Sequence, residues 1–152
     1  MSVAYASVKH MSQAAIALSK SGVGYDQSQR WSFYDAKTKT IIRDKETDCS
    51  ASCGAIAQMG GYPVNLGGTF YTGNFAKRFA DSGHFTVIRF NGLGNVQPGD
   101  FLVTPGHHVI YVIDDKRWWS AQNTEKGGLS GGKAGDQTGQ ETVIRPPYIR
   151  PG

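Results

Sequence analysis

Cys49 occupies a position in the sequence that could support nucleophilic chemistry. It directly follows Asp48, a residue type that caps helices, and it opens the small-residue stretch CSASCGAIAQM, which predicts a helix. A thiol in the first turn of a helix lies near unpaired backbone N–H groups and the positive end of the helix dipole, which both favour the thiolate. Cys53 comes one turn later, where this activation is absent. We therefore take Cys49 as the candidate nucleophile, with a buried structural cysteine as the alternative, and Cys53 as structural.

Two adjacent histidines, His107 and His108, follow a Pro-Gly turn and open a predicted strand over residues 107–113. A neutral imidazole beside a thiol can accept its proton and later protonate the leaving amine. Neighbouring residues of a strand point to opposite faces of the sheet. One histidine can therefore face the helix that carries Cys49, while the other faces away.

A catalytic imidazole is normally oriented by a third polar group, and the predicted strand 118–123 offers Ser120, Gln122 and Asn123. The turn near residues 114–117 decides between the last two. A turn of odd length places Gln122 across from His108, whereas a turn of even length places Asn123 there.

Two cysteines and two histidines are also residue types that bind zinc. The spacing argues against a zinc site, because adjacent strand histidines diverge and C-x₃-C within a helix is not the usual zinc knuckle. The glycine-rich segment 126–140 lacks the G-x-x-x-x-G-K-[ST] pattern of a phosphate loop. We expect neither a metal nor a cofactor.

The remaining elements predict one α+β domain with helices before the strands. Apolar spacing indicates a first helix over residues 4–20, and a third helix is predicted over residues 73–82. Period-2 patterns and turn residues indicate strands at 85–90, 100–104, 107–113 and 118–123. The segment ETVIRPPY is expected to contain a last strand. The 20 glycines among 152 residues indicate many tight turns.

Composition excludes several classes of function. The sequence has no run of about 18 apolar residues and no secretory signal, so neither membrane insertion nor Sec-type export is expected. Lys and Arg are scattered rather than clustered, which argues against nucleic-acid binding. The net charge of +4 suits a polyanionic surface such as a bacterial cell wall.

The motifs ETDCSASC, QPGDFLVTPGHHVIYVI and WWSAQN, in this order, resemble the NlpC-type papain-like cell-wall peptidase superfamily. The segments GVGYDQSQR and NTEKGGLSGGKAGDQTGQE make the chain more similar to phage endolysin catalytic domains of the bacteriophage peptidoglycan hydrolase (amidase) group. The resemblance covers about residues 10–148. It implies a papain-like fold in which N-terminal helices pack on a central antiparallel sheet.

The resemblance also implies roles for individual residues. Cys49 would be the nucleophile, and His108, which precedes Val109 in a G-H-V-like motif, would be the general base and then the acid. Gln122 would orient the histidine, with Asn123 in reserve. The side chains expected to contact the substrate are Tyr25, Asp48, Asn123, Glu125 and Asp136.

The activity implied is cleavage of an amide bond in bacterial peptidoglycan by a monomeric enzyme, without a metal. The bond is either that between N-acetylmuramic acid and L-alanine or one within the stem peptide or cross-bridge. The alternatives are a non-catalytic wall-binding module and a zinc-dependent hydrolase. Residues 1–148 would form the catalytic domain, and residues 149–152 would begin a linker to a cell-wall-binding module. An endolysin of this kind is made in the host cytoplasm and released through a holin lesion, and a virion tail hydrolase is the alternative.

Overall fold

A four-stranded antiparallel sheet with helices packed on one face positions the candidate site. The computed structural model describes residues 7–124 and 126–147. Its helices are α1 (Val8–Ser19), α2 (Cys49–Met59) and α3 (Phe75–Asp81). The four strands of the sheet, in the order β5-β6-β7-β8, are β5 (Phe101–Thr104), β6 (His108–Val112), β7 (Trp118–Ala121) and β8 (Thr142–Arg145). Four two-residue strands precede them: β1 (Gly24–Tyr25), β2 (Tyr34–Asp35), β3 (Thr40–Ile41) and β4 (Glu46–Thr47).

Helix α2 begins where the sequence predicts. The Asp48 carboxylate accepts a hydrogen bond from the Ala51 N–H at 2.8 Å, so it satisfies one of the donors that a helix start leaves unpaired. Small residues then let neighbours approach closely. A Cβ on Gly54 would lie 2.7 Å from the Leu66 side chain and 2.9 Å from the Phe70 ring.

Helices α1 and α2 lie on the same face of the sheet and form the core with it. Trp119 of β7 donates from Nε1 to the Ser52 hydroxyl of α2 at 2.9 Å. Tyr111 of β6 shares a 2.8 Å hydrogen bond with Ser12 of α1. Val109 and Tyr111 of β6 belong to this core. Ile110, Val112 and Trp118 form a separate apolar cluster, which strand alternation assigns to the opposite face of the sheet.

The predicted strand at residues 85–90 is wrong, because this segment has no regular secondary structure. Val87, Ile88 and Phe90 are exposed, and only Phe85 packs inward, against Phe79 and Phe101. A period-2 pattern yields a strand only where a neighbouring strand supplies backbone partners, and β5 pairs with β6 alone.

The described residues are a mixture of helix and antiparallel sheet, which is compatible with the expected α+β class. None of the helices in the described parts of the chain has the length and apolar character needed to cross a membrane. The predicted linker start at residues 149–152 lies outside the described residues.

Candidate active site

Cys49 is the first residue of α2, and its side chain lies against strand β6. The backbone N–H groups of Val109, in β6, and Ser50 lie near enough to its sulfur to lower the pKa of the thiol. The residue is 6% exposed and belongs to the main core cluster. The thiol is therefore held between the start of a helix and the strand that begins with the histidines.

The pKa of the Cys49 thiol is raised to about 11, mainly by burial and in part by the charge of Asp48. The N–H groups of Val109 and Ser50 and the charge of Arg30 act in the opposite direction. The helix-start N–H of Ser50 acts in the direction that the sequence predicts, but the loss of water outweighs it. Cys49 is a neutral thiol in the free protein, so a nearby base is needed to activate it.

Tyr25 lies beside Cys49 because β1 and β4 pair in parallel, with Tyr25 opposite Thr47, two residues before the cysteine. The pKa of Tyr25 is raised to about 12, mainly by burial and in part by the charge of Cys49. The Tyr25 hydroxyl accepts a hydrogen bond from Gln27 Nε2 at 3.2 Å. It therefore keeps its own proton and can donate it to a group in the site.

Asp48 is engaged within the protein. Its Oδ1 accepts hydrogen bonds from the Ala51 N–H, the Ser50 hydroxyl and Arg30 Nη2, and its Oδ2 accepts from Arg30 Nε at 2.6 Å. Asp48 is 5% exposed. These contacts make it a helix cap paired with an arginine, and its expected contact with a stem peptide stays a prediction.

The two histidines occupy different places relative to Cys49. His108 begins β6, and its Nε2 lies 3.3 Å from the Ser120 hydroxyl. Val109 packs in the core with α2, so strand alternation places His108 on the opposite face, with Ile110. The structure therefore does not bring His108 to the face that carries Cys49, contrary to the expectation from the motif. His107 precedes β6 in an exposed turn, and its side chain would lie on the α2 side if the alternation of β6 continued through it.

The turn between β6 and β7 determines which polar groups lie across from the histidines. Ile113 and Arg117 are joined by a 3.0 Å backbone hydrogen bond around three turn residues, so the turn has odd length. Extending the β6–β7 register, in which Tyr111 lies opposite Trp119, sets Gln122 across from His108 and Asn123 across from His107. Gln122 is in register with His108, and the Ser120 hydroxyl lies 3.3 Å from His108 Nε2.

The glycine-rich loop packs on the segment that contains Tyr25. The Gln27 N–H donates to the Leu129 carbonyl at 2.7 Å, and the Gly131 N–H donates to Asp26 Oδ2 at 3.1 Å. These contacts place part of the loop next to the residues that follow Tyr25.

Asp26 and Glu141 join the loop region to the Tyr25 segment, and neither was predicted from the sequence as a site residue. Glu141, 1% exposed, accepts hydrogen bonds from the backbone N–H groups of Tyr25 and Gln137. Asp26 also accepts from the N–H and hydroxyl of Ser28. Both lie inside the quoted motifs GVGYDQSQR and GDQTGQE, which is the signal that could have identified them.

The other expected substrate residues have mixed outcomes. Asp136 uses Oδ1 to accept backbone N–H groups within its own turn, from Thr138, Gly139 and Glu141. Asn123 is exposed, and Glu125 lies outside the described residues. Among residues 7–124 and 126–147, no three His, Cys, Asp or Glu side chains come together in a group suited to a metal ion.

A substitution at Gly24 tests how much the packing of the glycine-rich loop on the Tyr25 segment contributes to stability. A Cβ at this position would lie 2.1 Å from the Gly135 carbonyl oxygen and 2.8 Å from Glu46 Oε2. Gly24→Ala is therefore expected to lower the free energy of unfolding by about 1–3 kcal/mol, measured by chemical denaturation. Gly94→Ala is the matched control, because no atom lies within 4 Å of the added Cβ. Equal stability of the two variants would show that the loop does not pack on Gly24.

A helix-start cysteine packed against a strand that begins at the second of two adjacent histidines defines a candidate cysteine-hydrolase site. Comparison with protein families assigns the domain: the model of the endolysin-like domain matches residues 2–117. The chain therefore belongs to the endolysin-like domain family, which indicates a function related to phage lysis. The matched range contains Cys49 and both histidines and ends just before β7. No curated protein and no solved structure matches the chain.

Proposed function

We propose that this protein is an endolysin-type peptidoglycan hydrolase that cleaves an amide bond with Cys49 as the nucleophile. The observation that carries the proposal is the placement of Cys49 as the first residue of α2, packed against strand β6 beside Val109, which directly follows the two histidines. Membership of the endolysin-like domain family supports the bacterial cell wall as the target.

In the proposed reaction, His107 is the base rather than His108. It takes the proton of the Cys49 thiol, and the sulfur attacks the carbonyl carbon of the scissile amide. The oxyanion that forms is stabilised by the backbone N–H of Cys49 and by the Tyr25 hydroxyl, which Gln27 leaves free to donate. The C–N bond then breaks, and the imidazolium returns its proton to the departing amine.

Hydrolysis of the thioester completes the cycle. The neutral imidazole of His107 takes a proton from a water molecule, whose oxygen attacks the acyl carbon. The carboxylic acid product leaves, and the imidazolium returns the proton to the Cys49 sulfur. A raised thiol pKa is compatible with this scheme, because proton transfer to the base accompanies attack and no resting thiolate is needed.

Mass spectrometry of muropeptides released from purified cell walls tests this function and identifies the bond. A free muramyl lactyl group together with a new N-terminal L-alanine identifies an amidase, whereas other new amino termini identify an endopeptidase. Cys49→Ala serves as the inactive control.

Three results would contradict the proposal. Fragments with new reducing ends and no new amines would show glycosidase activity. Binding to walls without any release would show a wall-binding module. Loss of activity in EDTA together with resistance to iodoacetamide would show a zinc-dependent hydrolase.

A further inference from the structure

Arg30 makes an unusually large number of polar contacts for one surface-proximal side chain. Its Nε and Nη2 bind the two oxygens of Asp48 at 2.6 and 3.2 Å, and Nη2 also donates to the Ser50 hydroxyl at 2.5 Å. Its Nη1 donates to the Phe70 carbonyl at 2.5 Å, and the guanidinium lies 5.1 Å from the centre of the Trp31 ring. The side chain is 20% exposed. These contacts fix it in one geometry.

The partners of Arg30 lie immediately on either side of Cys49 in the sequence. Asp48 is the cap of α2, and Ser50 is in its first turn. A planar guanidinium can bind both at once, because its donors form a rigid fork that an ammonium group lacks. We propose that Arg30 is a positioning residue for Cys49, which holds the first turn of α2 around the thiol and balances the charge of Asp48.

The charges around the thiol explain why this balance matters. Asp48 lies next to Cys49 on the same element, and its carboxylate disfavours a negative sulfur. Arg30, from the segment after the short 3-10 helix Gln27–Gln29, opposes that effect. Tyr25 from β1 is neutral, Cys53 lies one turn along α2, and His107 precedes the part of β6 packed on the thiol. Arg30 therefore offsets part of the rise in the Cys49 pKa that the charged helix cap Asp48 causes.

The inference rests on the proposed function only for its relevance to catalysis, because Arg30 itself does not contact the reacting atoms. Its effect is measurable on the thiol without substrate. The proton equilibrium of Cys49 can be followed in the full chain from the ¹³Cβ chemical shift of labelled cysteine against pH. Cys53→Ser assigns the two signals.

Three variants separate the contributions of the two charges. Asp48→Asn keeps a good cap but removes the anion, so the Cys49 titration midpoint falls by about one unit or more. Arg30→Met leaves the anion unbalanced, so the midpoint rises. In the double variant Arg30→Met/Asp48→Asn both charges are absent, and the midpoint lies above that of Asp48→Asn alone.

The comparison of Asp48→Asn with the double variant decides the outcome. Both of these proteins lack the Asp48 carboxylate. Neither therefore contains the buried unpaired carboxylate that destabilises the single variant Arg30→Met. Equal midpoints in these two proteins would overturn the inference, because the arginine would then have no effect at the sulfur. Arg30→Lys keeps the charge but loses the fork, so its midpoint is expected between those of the wild type and Arg30→Met.

The two proposals fail in different ways. If Cys49→Ala retained hydrolysis, the proposed function would be contradicted, but the titration result for Arg30 would be unaffected. If hydrolysis depended on Cys49 but the two midpoints coincided, only the role of Arg30 would fall.

Discussion

Cys49→Ala is expected to lower the rate of peptidoglycan hydrolysis by at least about 10³-fold, because the variant has no atom that can form the acyl intermediate. The rate is measured as the release of soluble fragments, or of new amines, from purified walls. The fold should survive, since alanine is a good helix former and Asp48 still caps α2 through the Ala51 N–H.

Cys53→Ala is the matched control for this experiment. Cys53 lies one turn further along α2 and is fully buried, and its sulfur is 4.0 Å from the Val109 carbonyl oxygen. Its loss removes a similar volume from the same helix but no reacting group. We expect a lower melting temperature with most of the rate retained. An active Cys49→Ala protein, or an inactive and folded Cys53→Ala protein, would contradict the assignment of the nucleophile.

His107→Ala is expected to lower the rate by about 10²–10⁴-fold, the usual contribution of a general acid–base group. His108→Ala should retain far more activity, because its ring contacts Ser120 on the face of the sheet away from α2. The same wall-hydrolysis assay on both variants gives the comparison, with circular dichroism to verify folding.

The opposite ranking would restore the assignment suggested by the motif. If His108→Ala were inactive and His107→Ala active, the strand would have to present His108 to Cys49 in the working enzyme. A partial loss of hydrolysis rate on substitution of Asn123, which the extended register sets across from His107, would support His107 as the base. A loss confined to Gln122 would support His108.

Local signals were sufficient for the helix that carries the nucleophile. The start of α2 depends on Asp48 and the residues up to Ala51, all within one turn, so the sequence predicted it correctly. The strand at 85–90 had an equally clear local pattern, but a strand needs a partner elsewhere in the chain. Its alternating side chains could not show that β5 would pair only with β6.

The protonation of Cys49 also depended on more than its neighbours in sequence. The helix start acts over one turn and favours the thiolate, as the sequence predicted. Burial against β6 acts through the removal of water, and it raises the pKa to about 11. Only the packing of α2 on the sheet shows that the second effect is larger.

The face of β6 that meets α2 was decided by tertiary structure alone. The stretch HHVIYVI is apolar at both alternating sets of positions, with Val109 and Tyr111 on one face and Ile110 and Val112 on the other. By itself the sequence determined that a capped helix begins at Cys49 and that two histidines open a strand, because turns and caps act over a few residues. Which histidine shares a side with the cysteine depends on how the helices cover the sheet, a contact between segments more than 50 residues apart.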